Sequence, residues 1–505
     1  MSGMMNRPDP SQSRYDETQL MERCVERSNM LSAWKRVKKN GGSPGVDGMT
    51  IDETGKYLKT HWPRIRKELL EGTYRPQPVK KAEIEKPGGG GMRQLGIPTA
   101  TDRLIQQCIL QILQPQWDPT FHPNSYGFRP GKSAHQAICQ AQKYVQEGKR
   151  FVVDCDLEKF FDRVNHDILM DRVMKRVKDE RLVILIRRYL QAGIMDQGVV
   201  VEREEGTPQG GPLSPLLSNL LLDEVDWELE RRGLSFARYA DDNNVYVKTK
   251  RSAERVMQTM MKLMGRLKLK INLEKSAVAY VWKRKFLGYS LWIGPQKAVK
   301  RRVAPQALKK FKEKVRGLTS RTCGRSMKQV VERLDGYLVG WKNYFQLADT
   351  PRIFGDLDSW IRRRLRMLHL KQWKRGKTAY REMVARGLSS NAAASIAAAL
   401  GSYWKMAGTS GMSIVFPNSY FDELGLTRLR AEKTLEPPDA GRQVRWCERT
   451  GELSSPSYSI RRSTQNDHLS SGSVLLRKGG SILLSGAVSC MICLVGKKNG
   501  DQTPC

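Results

Sequence analysis

Two short stretches of this sequence gather the acids best placed to do chemistry. Asp241 and Asp242 stand side by side in Phe236-Ala-Arg-Tyr-Ala-Asp-Asp-Asn-Asn-Val-Tyr-Val247. Asp154, Asp156 and Asp162 fall in Arg150-Phe-Val-Val-Asp-Cys-Asp-Leu-Glu-Lys-Phe-Phe-Asp162. Adjacent carboxylates repel each other unless a cation neutralises them. Hard oxygen donors on a rigid turn suit Mg2+, which takes one or two protein carboxylates and fills its shell with phosphate oxygens. Taken alone, Asp-Asp-Asn-Asn reads equally well as a solvated turn, so a second carboxylate is needed. If the strand bearing Asp156 lies beside the turn, Asp156 and Asp241 can share two Mg2+ ions about 3.5 to 4 Å apart, the arrangement of in-line phosphoryl transfer. Asp154 has a spacing of two from Asp156 and so shares its strand face; it reads as a supporting or capping acid. Phe160 and Phe161 follow Asp156, where a ring can wall off a sugar.

Apolar residues flank the polar centre of 236–247, which predicts a β-hairpin with Asp241 and Asp242 at its tip. Around it, residues 151–157 and 198–203 read as strands, and 167–192, 214–232 and 253–267 as helices. This order predicts an α+β domain with a largely antiparallel sheet. Before it, residues 1–75 read as a helical extension interrupted by the loop at 40–48. Residues 80–98 carry a glycine run flanked by Lys80, Lys81, Lys86 and Arg93, a basic hairpin tip suited to phosphate. From 299 to 430 the pattern is purely helical. One helix there carries Leu357, Trp360, Ile361, Leu365 and Leu368 on one side and Arg362, Arg363, Arg364 and Arg366 on the other, which predicts a nucleic-acid-facing surface. The remainder, 431–505, differs in composition and is expected to be a basic, poorly ordered tail.

Composition bounds the reading further. The chain has 505 residues with 87 Lys and Arg against 52 Asp and Glu, a formal net charge of +35. Such an excess points to a polyanionic partner, while 39% hydrophobic residues exclude a disordered basic protein. The longest uncharged apolar stretch, 481–496, is shorter than the roughly 20 residues of a membrane helix, so no membrane partner is expected. No apolar signal segment opens the chain, and the nine cysteines are an odd number and mostly scattered, so reduced thiols and a bacterial cytoplasmic, nucleoid-associated location are expected. Gly131-Lys-Ser133 is not a P-loop, because its upstream glycine, Gly127, is one residue too near.

The blocks resemble those of a reverse transcriptase, and their order resembles a bacterial, endonuclease-lacking group II intron-encoded reverse transcriptase/maturase. The resemblance runs from about Leu31 to Leu426. Gln94-Leu-Gly-Ile-Pro98 and Ser125-Tyr-Gly-Phe-Arg-Pro-Gly-Lys-Ser133 are similar to finger blocks, and Asp156-Leu-Glu-Lys-Phe-Phe-Asp162 to the first palm block. Gly206-Thr-Pro-Gln-Gly-Gly-Pro-Leu-Ser-Pro215, Tyr239-Ala-Asp-Asp242, Leu269-Lys-Ile-Asn-Leu-Glu-Lys275 and Phe286-Leu-Gly-Tyr289 follow in family order. Tyr337-Leu-Val-Gly-Trp-Lys-Asn-Tyr-Phe345 and 416–426 resemble elements of the maturase domain.

The resemblance implies a right-hand polymerase, with fingers and palm at 76–298 and an all-α thumb and maturase domain at 299–430. It implies Asp156, Asp241 and Asp242 as catalytic metal ligands for two Mg2+ ions, and Phe161 as the ribose-discriminating ring. Gln209 and Gly210 would support template and nucleotide, the missing side chains of Gly210 and Gly211 letting a base pair approach. Lys275 would protonate the leaving pyrophosphate, bind phosphate, or remain a solvated lysine. Lys86, Arg93, Arg129 and Lys132 are candidates for gripping triphosphate or template phosphates. The implied partners are an RNA template with a DNA primer, dNTPs, target DNA and a group II intron RNA whose splicing the chain assists. An endonuclease domain with paired CxxC motifs is not expected, since His468 is the one histidine after His369. Two rivals stay open: a domesticated relative in DNA repair or phage defence, and a splicing-only RNA-binding maturase. Oligomeric state is not legible.

Overall fold

In the computed structural model, residues 18–85, 91–196, 199–201, 205–207, 210–322 and 324–430 are described. The expected tail at 431–505 lies outside them. Ten strands follow in chain order: β1 Val79–Glu85, β2 Met92–Ile97, β3 Phe151–Cys155, β4 Ile194–Asp196, β5 Val199–Val201, β6 Ser235–Tyr239, β7 Asp242–Val247, β8 Ala277–Tyr280, β9 Tyr289–Ile293 and β10 Val299–Val303. They form three sheets. The central one has the order β6-β7-β3-β8 and is wholly antiparallel. A second has the order β2-β1-β4-β5, with β1 and β4 parallel. The third is the β9–β10 ribbon. The architecture is α+β, with an antiparallel central sheet followed by an all-helical region, as the sequence predicts.

Register decides what the central sheet presents. Cys155 lies opposite Asn243 and Tyr239 opposite Asp242. Asp156, the first residue past β3, therefore emerges at the same end of the sheet as the β6–β7 turn. β3 is shorter than the expected 151–157, because Asp156 and Leu157 leave it to meet the segment around Ile271. Inward residues Val153, Phe236 and Val245 are fully buried with Leu217, Leu221, Val256 and Met260, from the helices Ser214–Arg231 and Lys250–Arg266 behind the sheet. Burial of each such side chain contributes about 1.5–3 kcal/mol.

The N-terminal helices do not stand apart. Leu20, Met21, Ile65 and Leu69 belong to the same core as the palm sheet. The single helix expected over 167–192 is two, His166–Met174 and Glu180–Gln191. Asp179 is the reason: its carboxylate accepts from Arg181 N–H at 3.1 Å and from Met21 N–H at 2.8 Å, capping the second helix and tying it to the N-terminal segment. A second core joins the helices Pro305–Leu318, Met327–Phe345 and Pro351–Gln372 to the shorter helices that follow, with Tyr289 of β9 built into it. Among the described residues, no helix is long and apolar enough to cross a membrane.

Asn243 conflicts with its surroundings. It is 1% exposed, and neither its amide nitrogen nor its oxygen finds a partner. An unsatisfied buried amide costs about 1–3 kcal/mol. Asn243→Val is therefore expected to raise the unfolding free energy by about 1 kcal/mol in urea titration; an unchanged or lower value would show that the amide is satisfied by bound water.

Candidate active site

The turn carrying Asp241 is as tight as a hairpin allows. Ala240 and Asp241 alone connect β6 to β7, and Ala240 takes the left-handed conformation at φ +60°, which glycine and asparagine adopt far more readily than alanine. Arg238 supports it from within. This arginine is 1% exposed. Its Nε and Nη2 donate to the Asp226 carboxylate at 2.9 and 2.6 Å, and its Nη1 donates to Asn219 Oδ1 and to the Ala240 carbonyl, each at 2.9 Å. The sequence reading passed over Arg238 and Asp226. The available signal was an arginine at an inward position of an apolar strand and an aspartate inside an apolar helix.

Asp156 is fixed through its backbone. Its N–H donates to Ser276 Oγ at 2.9 Å, and its carbonyl accepts from Asn272 N–H at 2.8 Å and from the Ser276 hydroxyl at 3.3 Å. Asn272 Oδ1 in turn accepts from Glu274 N–H at 3.1 Å and Lys275 N–H at 3.3 Å, closing the loop. The result places Lys275 Nζ 3.9 Å from the Asp156 carboxylate, with the lysine side chain largely exposed. Nearby, Arg284 pairs with Asp154 at 2.6 Å and donates to the Lys275 carbonyl at 2.6 Å. Asp154 is thus held by a protein cation.

Electrostatics bring the acids together as one group. The Asp242 carboxyl is pushed up to about 7 by the surrounding protein, which leaves it only partly hydrated, and then by the charges of Asp241, Asp154 and Asp156; Lys285 opposes this. Asp242 nevertheless keeps surface open to solvent, so a ligand can reach it. Burial likewise raises Asp154, against the pull of Arg284. Mutually repelling carboxylates reachable from solvent are a donor set for a hard divalent cation. Among the described residues no group of three or more His, Cys, Asp or Glu side chains is arranged to hold a metal ion.

Other expected site residues lie in different settings. Phe161 is half-buried, packed edge-to-face on Phe160, and its carbonyl accepts from Thr207 N–H at 2.6 Å. Gly206, on the same loop, is pinned by His166, whose Nε2 lies 2.7 Å from the Gly206 oxygen. At Gly210, φ is +136° and a Cβ would fall 2.6 Å from the Gly96 carbonyl. The close approach that its missing side chain allows is to β2. Lys86 and Gln209 lie outside the described residues, and Arg93 occupies β2 opposite Ile84.

Several basic residues are engaged inside the fold. Arg129, expected to grip phosphate, is 5% exposed at its side chain and pairs with Asp118 at 2.8 Å, also donating to the carbonyls of His122 and Ser125. Lys132 donates to the Pro123 carbonyl at 3.1 Å over the face of Tyr126. The expected outward row of arginines on the helix Pro351–Gln372 is not there. Arg362 is buried and pairs with Asp422 at 3.1 Å, and Arg366 is buried and donates to the Phe416 carbonyl at 2.9 Å. Arg363 lies over the Trp404 ring and donates to its carbonyl, and Arg364 donates to Thr319 Oγ1 at 2.7 Å. The helix is surrounded by partners on more sides than its pattern indicates, so these guanidinium groups join structural elements.

An antiparallel palm sheet with aspartates gathered at one hairpin, fingers strands beside it and a helical domain behind define a template-copying nucleotidyltransferase. The family model described as "Reverse transcriptase (RNA-dependent DNA polymerase)" matches residues 84–291, and that described as "Group II intron, maturase-specific domain" matches 308–387. Protein YkfC of Escherichia coli (strain K12) is 33% identical over 305 residues, covering 52% of this chain and 80% of YkfC. The group II intron-encoded protein LtrA of Lactococcus lactis subsp. cremoris is 33% identical over 268 residues, covering 52% of this chain and 44% of LtrA. A solved chain of a partial Cas6-RT-Cas1–Cas2 complex is 24% identical, covers 49% of this chain and 42% of its own, and has a TM-score of 0.33. The chain belongs to the group II intron-encoded reverse transcriptase/maturase family, whose polymerase domain is RNA-directed and DNA-synthesising.

Two outcomes test this description. With a folded pKa above the unfolded 3.8, Asp242 favours the fold while protonated; that contribution is complete below pH 3.8 and is lost as pH rises through about 7. In EDTA, the parent Tm should therefore fall relative to that of Asp242→Asn between pH 5 and pH 8, and Mg2+ should restore it at pH 8; parallel Tm curves would contradict the assignment. Removing Arg362 leaves Asp422 and Asp358 short of a buried partner, so Arg362→Ala should lower the unfolding free energy by about 3 kcal/mol. A change below about 0.5 kcal/mol would mean the arginine is a surface group.

Proposed function

We propose that this protein copies RNA into cDNA from a primer 3'-hydroxyl, using dNTPs, and that it binds a group II intron RNA to assist splicing and retrotransposition. The observation that carries the reading is the convergence of Asp156 with the Ala240–Asp241 turn, where Asp242 feels the charge of three other carboxylates. A chain that only bound RNA would gain nothing from holding that repulsion. Asp156, Asp241 and Asp242 would hold two Mg2+ ions, which when bound activate the primer hydroxyl and neutralise the departing pyrophosphate.

The chain's own groups do the rest. Lys275, exposed 3.9 Å from Asp156, can hold a phosphate oxygen or give a proton to the leaving pyrophosphate. Phe161 stands on the loop after Asp156, where its ring limits the space beside the sugar. Gly210 and Gly211 bring the segment after Gln209 against β2 and Gln106, joining fingers to palm where template and nucleotide would lie.

For intron RNA, the maturase-domain match and the similarity to LtrA support binding through the helical region. With the four arginines of 362–366 engaged internally, exposed lysines such as Lys309 and Lys314 on the helix Pro305–Leu318 are the groups offered to phosphates. Target DNA and a place in the bacterial cytoplasm, at the nucleoid, belong to the same reading, as do fingers and palm at 76–298 and thumb and maturase at 299–430.

The test is primer extension on an RNA template with dNTPs and Mg2+, comparing the parent with Asp241→Ala/Asp242→Ala. Extension that the double variant loses by at least about 10³-fold is the expected result. A folded, RNA-binding parent that extends nothing would leave a splicing-only maturase.

A further inference from the structure

The Ala240–Asp241 turn is gripped from two sides by groups other than the proposed metal-holding acids. From behind the sheet comes Arg238. Its charge is neutralised by Asp226, itself 0% exposed, and its Nη1 reaches around the hairpin to the Ala240 carbonyl. That carbonyl belongs to the peptide bond leading into Asp241, so the bond sets the plane from which Asp241 projects. The other side is the fingers segment 124–127, which meets β6 through one parallel bridge between Ser125 and Arg238. Arg238 N–H donates to the Asn124 carbonyl at 3.0 Å, and Tyr126 N–H donates to the Arg238 carbonyl at 2.8 Å. Asn219 links both grips, accepting from Arg238 and donating from Nδ2 to the Gly127 carbonyl at 2.9 Å.

Gly127 shows how close this contact is. A Cβ there would stand 2.2 Å from the Ala240 nitrogen and 2.9 Å from the Tyr239 carbonyl carbon. The backbone at Gly127 is not in the left-handed region, so its lack of a side chain is explained by this approach rather than by torsion. Ala240, by contrast, is left-handed without being glycine. A residue persists in such a conformation when its surroundings over-determine it, and here the Arg238 hydrogen bond to its carbonyl and the Gly127 backbone packed against its nitrogen do so.

We propose that Arg238 is a positioning residue for metal binding: with Asp226, Asn219 and the Gly127 backbone, it forms a clamp that sets the orientation of the Ala240–Asp241 peptide and thereby the Asp241 carboxylate. The proposal rests on the reading of Asp156, Asp241 and Asp242 as the metal-holding acids. It also makes the fingers segment 124–127 part of the metal site's support, because Gly127 and Arg238 fix the same turn from opposite sides.

The clamp predicts a signature that a purely structural arginine would not produce. Arg238→Lys keeps a cation for Asp226 but has no second arm for the Ala240 carbonyl. Gly127→Ala leaves the ion pair intact and displaces the same turn from the fingers side, which keeps the question open to experiment if Arg238→Lys fails to fold. Full-length parent, both variants and Asp241→Ala are compared by primer extension over a Mg2+ titration, with Tm and RNA-template affinity measured on each. Expected for either folded variant is a Mg2+ requirement raised about tenfold or more and a matching loss in kcat, with the KM for dNTP and the RNA affinity near those of the parent. Parental Mg2+ curves for both variants, beside an inactive Asp241→Ala, would overturn the clamp alone. Parental extension by Asp241→Ala would overturn the reading of the acids, and the clamp with it.

Discussion

Like charges at one end of a sheet are the constraint around which this molecule is arranged. Burial raises the proton affinity of Asp154 and Asp242, and the charges of neighbouring acids, Asp156 for both and Asp241 and Asp154 for Asp242, add to it. The fold holds them largely by backbone. Asp156 is fixed through its peptide groups by Asn272 and Ser276, and Asp241 through the peptide plane of Ala240. Where a carboxylate is matched by an internal cation, as Asp154 is by Arg284, it supports the site without needing to bind anything.

The same division runs through the basic residues. A net charge of +35 gives the impression of a surface built wholly for polyanions, yet many arginines are internal connectors. Arg238, Arg129, Arg362 and Arg366 each join two or more segments through buried or half-buried hydrogen bonds. Arginine suits this work because its planar fork donates in several directions while staying charged. Lysine, a more strongly hydrated point charge, fills much of the exposed face of the helix Pro305–Leu318. Attraction for nucleic acid and cohesion of the fold thus draw on chemically similar residues placed at different depths.

Fingers, palm and helical region are coupled through a few tight contacts. Gly127 lies against the Ala240–Asp241 turn, and Gly210 lies against β2. Two tyrosine hydroxyls bridge the palm-to-helix junction: that of Tyr289 donates to the Tyr344 carbonyl at 2.5 Å, and that of Tyr344 donates to the Leu287 carbonyl at 2.8 Å. His135, from the fingers, meets the same Tyr344 carbonyl at 2.7 Å. A shift of the helical region is therefore felt at the Phe286-to-Tyr289 turn beside the palm.

Sequence by itself determined what local pattern and motif order can carry. The alternation around Phe236 to Val247 gave the hairpin, and the blocks in series gave the α+β polymerase architecture. Tertiary structure decided the rest, because it depends on partners distant in the chain. Periodicity marks a helix face as polar but cannot tell whether water or another helix meets it, so Arg362 and Arg366 read as exposed until Asp422 and the Phe416 carbonyl were found beside them. A strand arginine such as Arg238 carries no local sign of the aspartate twelve residues earlier that neutralises it. Likewise Gly210 read as room for a base pair, whereas the approaching atom belongs to the protein's own backbone. Burial and close approach are properties of pairs of segments, and the chain records only one segment at a time.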